Sequence, residues 1–388
     1  MPPSHGLVHR DQLKWQDSNV EFINSSIDHR LKYASAATEP AWNNGLIGVQ
    51  PGLFIWRIEQ FQVLPWPRAK YGSFHTGDSY IILHSQMLRR RNAPPDTPPQ
   101  LVHDIFFWLG AETSQDEMGV AAYKTVELDE FLCGAATQHR ETQTSPSPAF
   151  LALFPRLSLL RGGAASGFRA VPTASQPAAQ PITLLRVYTV HGSVLAQEVP
   201  PAVASLDAGD CFVADVNDKI WVWQGAQSSH MERAKAALVA ADMREAKHAD
   251  VEVVSQDEFR ARKVLEALGD SADESPAYAT PRAVADVQQS GPVRLLRLSD
   301  ASGQITFAVV KEGERPTWED LNGDDVFVLD TGSQLWVWQG QGASATERAL
   351  WLRAAQAYLR SYRPTGLGGP IGKVVQGYES ADFVQALA

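Results

Sequence analysis

The chain is poor in cysteine: 388 residues carry two, Cys133 and Cys211. That excludes a disulfide framework, and two thiols at unrelated places suit a reducing compartment such as the cytosol. Long apolar runs are missing as well. No stretch approaches about 18 apolar residues, so no transmembrane helix is expected. The N-terminal Met-Pro-Pro-Ser-His-Gly carries no basic-then-apolar signal pattern. Cationic charge is short, with 34 Lys and Arg against 44 Asp and Glu and a net charge of -10. Extensive contact with a nucleic-acid backbone is therefore not expected. The ten histidines are scattered without metal-ligand spacing, which disfavours zinc. No Ser/His/Asp or Cys/His set emerges from spacing to suggest a nucleophilic enzyme.

What the chain does have is a long repeat. Asp104-Ile-Phe-Phe-Trp-Leu-Gly110 recurs as Lys219-Ile-Trp-Val-Trp-Gln-Gly225 and as Gln334-Leu-Trp-Val-Trp-Gln-Gly340. Trp108, Trp223 and Trp338 lie 115 residues apart. That period exceeds a solenoid repeat and matches a small domain. Each aromatic and β-branched run reads as a buried strand ended by a glycine turn. Ser114 with Glu117, Ser229 with Glu232, and Ser344 with Glu347 then read as capping boxes, the Ser cap being worth about 1 kcal/mol. Helices are expected over Gln115–Leu132, Met231–Ala246 and Ala345–Tyr362, with Leu238 and Met243 on the apolar stripe of the second.

A second element precedes each of these strands: Gly77-Asp78-Ser-Tyr-Ile, Gly209-Asp210-Cys-Phe-Val and Asp324-Asp325-Val-Phe-Val. Asp and Glu are 22 positions apart in the second and third copies and 39 in the first, which carries an insertion at Arg89–Gln100. Either acid alone has a structural reading, Glu as a cap and Asp as a turn residue. Their joint recurrence points instead to a hard cation. Calcium takes about six to eight oxygens, which two carboxylates, carbonyls and water supply. The run Gly340-Gln-Gly-Ala-Ser-Ala resembles a dinucleotide fingerprint, but the other copies do not keep it and no ribose-binding acid follows. On the first helix, Asp116, Glu117, Glu127, Asp129 and Glu130 stand against Lys124 alone and read as a solvated acidic face.

The organisation expected is α+β. Residues 1–50 form an N-terminal extension, and 51–169, 182–269 and 293–388 are three domains. Residues 170–181 and 270–292 are linkers.

These motifs resemble the gelsolin family, closest to its three-domain severin and fragmin members. The resemblance covers nearly all of 51–388. It rests on Pro51-Gly-Leu-Phe-Ile-Trp-Arg-Ile-Glu, Tyr71-Gly-Ser-Phe-His-Thr-Gly-Asp-Ser-Tyr-Ile, Ser114-Gln-Asp-Glu, Lys124-Thr-Val-Glu-Leu-Asp-Glu-Phe-Leu, Gln138-His-Arg-Glu and Gly162-Gly-Ala-Ala-Ser-Gly-Phe168. It implies a central mixed sheet in each domain, sandwiched between a long helix and a short one. It also implies a cytoplasmic, cytoskeletal, calcium-dependent protein that severs actin filaments, caps barbed ends and nucleates. A capper without severing activity is the runner-up, and a metal-dependent enzyme a remote third.

Carried over by residue, the resemblance implies one calcium (Ca2+) site per domain. The first uses Gly77, Asp78, Glu117 and Ala164; the second Gly209, Asp210, Glu232 and Asp273; the third Asp324, Asp325 and Glu347. A further site shared with actin would use Glu117, Asp129, Gly134 and Ala136. Actin, as monomer and filament, would meet Val120, Tyr123, Val126, Glu127 and Glu130 on the first helix, with Phe168 beyond it. Phosphoinositide lipids are implied as a second partner through Arg156, Arg161 and Arg186, where the family's basic clusters are thinned to three. The domain-two disulfide of secreted members is not expected: Cys211 matches one partner, but Gln224 stands at the other.

Overall fold

The computed structural model describes residues 36–88, 98–163, 182–216, 219–269, 278–280, 292–299, 306–362 and 369–387. The first repeat contains strands β1 (Gly52–Glu59), β2 (Gln62–Pro65), β3 (Ser73–His75), β4 (Ser79–Leu88) and β5 (Gln100–Leu109), helix α1 (Gln115–Phe131), β6 (Thr137–Thr142), α2 (Pro148–Ala152) and β7 (Ser158–Leu160). The second contains β8 (Thr183–Val190), β9 (Ser193–Val199), β10 (Cys211–Val216), β11 (Lys219–Gln224), α3 (His230–Lys247), β12 (Asp250–Ser255) and α4 (Arg262–Ala267). The third contains β13 (Arg294–Ser299), β14 (Thr306–Glu312), β15 (Val326–Asp330), β16 (Leu335–Gln339), α5 (Ala345–Tyr362), β17 (Ile371–Val375) and α6 (Ala381–Leu387).

The repeated tryptophan run is in each repeat a buried inner strand, with a neighbour on both sides. In the second repeat, β11 lies between β10, antiparallel, and β12, parallel. In the third, β16 lies likewise between β15 and β17. The parallel pair needs a crossover, and the long helix supplies it. Because side chains alternate across a strand, one run serves two helices. Ile220 and Val222 pack with Ala236 and Ala240 of α3. Trp221 and Trp223 pack with Val264 and Leu265 of α4. In the third repeat, Leu335 and Val337 face α5 through Trp351 and Tyr358, while Trp336 and Trp338 face α6 through Phe383 and Leu387. In the first, Trp108 and Phe106 share a core with Phe150 and Leu151 of α2. The structure is thus the α+β mixed sheet between a long and a short helix that the motifs implied. One detail differs: Leu238 is 50% exposed. The face that α3 turns to the sheet buries Ala236 and Ala240, with Val239 and Met243 packed beside them, so Met243 lies on the stripe as expected and Leu238 does not.

The described chain divides into two compact bodies. One is formed by Gln50–Thr125 and His139–Ser290, the other by Met1–Val49, Val126–Gln138 and Gly291–Ala388. In the first body, a seven-stranded sheet runs β12-β11-β10-β8-β9-β7-β3. β7 pairs in parallel with β9, Ser158 opposite Ala196, and Leu195 enters the core of the first repeat. The first two repeats are therefore joined by a shared sheet, with β7 before the linker in sequence and β9 after it. In the second body, the end of α1 packs with the third repeat: the Asp129 carboxylate lies 3.6 Å from Lys373 Nζ. This places 126–138 with the third repeat, although the sequence pattern assigns them to the first. Cys133 and Cys211 are free thiols, and Cys211 pairs across the strands with Gln224.

The Gln138-His-Arg-Glu motif closes the first repeat. Glu141 is wholly buried and accepts from the Ser147 amide and hydroxyl, each at 2.7 Å. Ser147 Oγ in turn caps α2 by accepting from the Phe150 amide. Burial pushes the Glu141 carboxyl up to about 7, against hydrogen bonds from Ser147 that hold it down. A carboxyl whose folded pKa is raised binds more protons folded than unfolded, so stability falls as pH rises through that window. The melting temperature should decline between about pH 4.5 and pH 7, and Glu141→Gln should flatten that decline. A melting profile over that range whose slope is the same in both proteins would overturn the assignment.

Candidate metal centres

The backbone holds the Asp and Glu of each repeat together in the same way three times. The amides of Gly110, Gly225 and Gly340 donate to the carbonyls of Asp78, Asp210 and Asp325 at 3.0, 3.0 and 3.1 Å. Two residues on, the amides of Glu112, Gln227 and Gly342 donate to the carbonyls of Thr76, Ala208 and Gly323 at 2.8, 2.8 and 2.7 Å. A Cβ on the three glycines would sit 2.3, 2.5 and 2.2 Å from those same Thr76, Ala208 and Gly323 oxygens. Glycine is required there because two backbones touch. The contact fixes the start of the Asp strand beside the turn that opens the Glu helix.

The side chains differ between copies. In the first, Asp78 is buried, accepts from the Tyr80 hydroxyl at 3.0 Å and lies 3.5 Å from Arg57 Nη1. Ser114 Oγ accepts from the Glu117 amide at 3.2 Å, so half of the capping box forms. Glu117 Oε2 accepts from Thr113 Oγ1 at 3.0 Å. Its other oxygen, Oε1, is buried with no hydrogen-bond partner among the described residues. Burial raises the Glu117 pKa, and the Asp78 charge adds to the shift. A buried acceptor left unsatisfied costs about 1–3 kcal/mol. The Gly162 carbonyl accepts from the Gly77 amide at 2.8 Å, and a Cβ on Gly163 would lie 2.3 Å from Asp78 Oδ1. Ala164 follows directly. With Phe168 and Asp273, it lies outside the described residues.

In the second copy, the carboxylates have more partners. Ser229 and Glu232 form the full reciprocal box, at 3.2 and 2.8 Å. Glu232 Oε1 also accepts from Thr189 Oγ1 at 2.8 Å. Asp210 is held by Arg186 Nε, which also lies 3.8 Å from Asp207. Asp207 Oδ1 accepts from the amides of Gly209 and Asp210. Burial raises the Asp210 pKa; Arg186 opposes this, while Asp207 and Glu232 reinforce it. In the third copy, Ser344 and Glu347 again form the full box, each bond 3.1 Å. Asp325 lies 3.7 Å from Arg297 Nη1, and Asp324 is exposed.

Each site is therefore an Asp–Glu pair supplemented by backbone. Among the described residues, no three His, Cys, Asp or Glu side chains converge as a metal cluster. The donor set is all oxygen, as a hard cation requires. The unsatisfied Glu117 Oε1 makes the first copy the best fit.

Asp129, Gly134 and Ala136 also come together, as the turn that ends α1. Asp129 accepts from the Ala136 amide at 3.0 Å and the Gln138 side chain at 2.6 Å, and its carbonyl accepts from the Gly134 amide at 2.8 Å. On the α1 strip, Tyr123 is 50% exposed, and Val120, Val126 and Glu130 are half-buried. Glu127 departs from expectation: it is wholly buried, so it belongs to neither a solvated acidic face nor an exposed strip. Glu117 and Asp129 are buried too. Of the three arginines expected on a lipid-facing surface, Arg156 is exposed and paired with Asp242, and Arg161 is exposed. Arg186 is buried with its guanidinium on Asp210 and Asp207, and is not a surface group.

Fixed spacing could not find the arginines. Arg57 and Asp78 are 21 residues apart, and Arg186 and Asp210 are 24. Arg297 and Asp325 are 28 apart. Only the strand register shows that they are equivalent.

The unequal caps lead to unequal substitutions. With metal chelated, Glu117→Gln should leave the melting temperature unchanged or raise it, because it removes a buried charge and keeps an acceptor for Thr113. Glu232→Gln should lower it by the equivalent of about 1 kcal/mol, since one of two accepted bonds is lost. Equal effects of the two in thermal unfolding would refute the difference between the copies.

The gelsolin-repeat family model matches residues 60–151, 192–263 and 308–384. Gelsolin-like protein 2 of Lumbricus terrestris is 36% identical over 357 residues, covering 91% of this chain and 92% of that protein. Severin of Echinococcus granulosus is 32% identical over 366 residues, covering 92% of each. Gelsolin of Drosophila melanogaster is 35% identical over 375 residues, covering 94% of this chain and 45% of that longer protein. With three repeats matched and such relatives aligned nearly end to end, the chain belongs to the gelsolin family, in its severin-like, three-repeat form.

Proposed function

We propose that this protein binds actin, severs filaments and caps their barbed ends, and that calcium held at the Asp–Glu pairs controls these activities. Membership of the gelsolin family supports the actin reading. The observation that carries the calcium link is on α1. The helix that presents the half-exposed Tyr123 carries in its first turn Glu117, whose buried Oε1 has no partner among the described residues. A cation bound by Glu117 and Asp78 would set the position of the contact helix.

Severing on this reading is binding rather than catalysis. The face of α1 that carries Tyr123 enters an apolar cleft between two actin subunits and replaces their mutual contact, so no nucleophile is required. The second repeat, joined to the first through β7 and β9, would hold the filament side. Such a protein works in the cytoplasm, on the cytoskeleton. The described residues include no helix long and apolar enough to cross a membrane.

Filament length watched by microscopy tests this directly. With the full chain present, filaments should shorten within seconds of calcium addition and stay intact in chelator. Slow drift without breakage would leave a capper, and no change in either condition would refute the reading.

Tyr123→Asp tests the contact face. Buried aromatic anchors often contribute more than about 2 kcal/mol, at about 1.4 kcal/mol per factor of ten. The substitution should weaken actin-monomer binding by at least about thirtyfold in a fluorescence titration. Calcium should raise the melting temperature of parent and variant alike, by the equivalent of about 2.7 kcal/mol at one hundred times Kd. Unchanged affinity in a folded Tyr123→Asp protein would move the contact off α1.

A further inference from the structure

Each repeat places an arginine at the same point of the lattice. The first strand of each repeat runs antiparallel to the Asp strand, and the residue two past the Asp stands opposite an arginine. Arg57 pairs with Tyr80, Arg186 with Phe212 and Arg297 with Phe327. In all three copies the guanidinium reaches the Oδ2 oxygen of the site aspartate.

How firmly it is held differs. The Arg186 side chain is 8% exposed, bonds Asp210, lies 3.8 Å from Asp207 and stacks over the Tyr188 ring at 4.5 Å. Arg57 is 21% exposed, stands 3.5 Å from Asp78 and is shared with Glu59. Arg297 is 45% exposed and stands 3.7 Å from Asp325.

We propose that Arg57, Arg186 and Arg297 are internal counter-ions that compete with calcium for the site aspartates. The strength of each arginine's hold then grades the three affinities, with the second repeat's site the weakest. This rests on the calcium reading above. The physical argument is that one buried carboxylate oxygen cannot neutralise a guanidinium and a divalent cation together. Like charges repel more strongly where water is excluded. Calcium therefore has to displace the guanidinium, and a guanidinium screened from water has nowhere favourable to go. An exposed one, such as Arg297, rotates into solvent. In the absence of calcium the arginine neutralises the aspartate, so the same group that weakens calcium binding stabilises the unloaded fold.

Calcium calorimetry on the full chain, run with thermal unfolding in chelator and in calcium, tests this. In the parent, the weakest class of sites should belong to the second repeat and vanish in Asp210→Asn. Arg186→Gln should lower the melting temperature in chelator, enlarge the rise that calcium brings, and tighten the weakest class by at least about tenfold. Arg57→Gln should give a smaller gain, of several-fold, at its own site; its side chain is less buried, so it keeps the test open if Arg186→Gln does not fold. Arg297→Gln should change affinity by less than about threefold. Unchanged or weaker calcium binding in both Arg186→Gln and Arg57→Gln, with the parent binding normally, would make the arginines supports of the ligand geometry and overturn the competition. No calcium binding by the parent or by any variant would remove the calcium reading itself.

Discussion

The close approach of two backbones at the end of each tryptophan strand is the constraint on which the rest depends. The carbonyls of Thr76, Ala208 and Gly323 come so near Gly110, Gly225 and Gly340 that no side chain fits. The paired amide-to-carbonyl bonds there tie the Asp strand to the turn before the long helix. A helix start is a favourable place for a carboxylate, because unpaired amides and the positive end of the helix dipole meet it there. By fixing the helix start against the strand start, the glycine contact makes Asp and Glu neighbours whatever the length of the loop between their strands. That is why the first repeat tolerates its insertion after β4 and still has Asp78 and Glu117 within reach of each other's charge.

On that common frame, the three copies distribute charge differently. In the second and third, Glu232 and Glu347 are engaged in full capping boxes. In the first, Thr113 takes one oxygen of Glu117 and the box is left half-formed. The structural and the cation readings of this glutamate are thus not alternatives for the whole family of positions. The balance between them shifts from copy to copy with one neighbouring hydroxyl and one arginine. A site in which every lone pair already has a partner gains less from a cation than one with a lone pair left over.

Much of the fold was legible because the period-2 pattern and the domain-length repeat reinforce each other. The runs Ile-Trp-Val-Trp and Leu-Trp-Val-Trp have a large residue on both faces, which only a strand between two helices can bury. The Ser-x-x-Glu caps set the helix starts to within a residue. The features that escaped were set by tertiary neighbours. Glu127 looks like surface from its charge but is wholly buried. Leu238 looks like core from its side chain, yet α3 sits on Ala236 and Ala240. The end of α1 belongs by sequence to the first repeat, but it packs in the other compact body. Nothing local in a sequence encodes which body a turn joins.

The arginines show the limit most clearly, because a repeat search needs a constant offset and hairpins do not keep one. Between Arg and Asp, each repeat inserts a hairpin and a connection of its own length, so the offset drifts while the register stays fixed. What is preserved is position on the sheet: a cation directly across from the residue two beyond the aspartate. Two residues along a strand return to the same face, so the guanidinium and the carboxylate emerge side by side by geometry alone. A buried carboxylate in such a position would otherwise stand uncompensated. Placing its counter-ion on the neighbouring strand rather than in the same loop separates the two tasks. On the proposed calcium reading, the loop and helix start remain free to hold the cation, while the neighbouring strand supplies the charge that neutralises the aspartate.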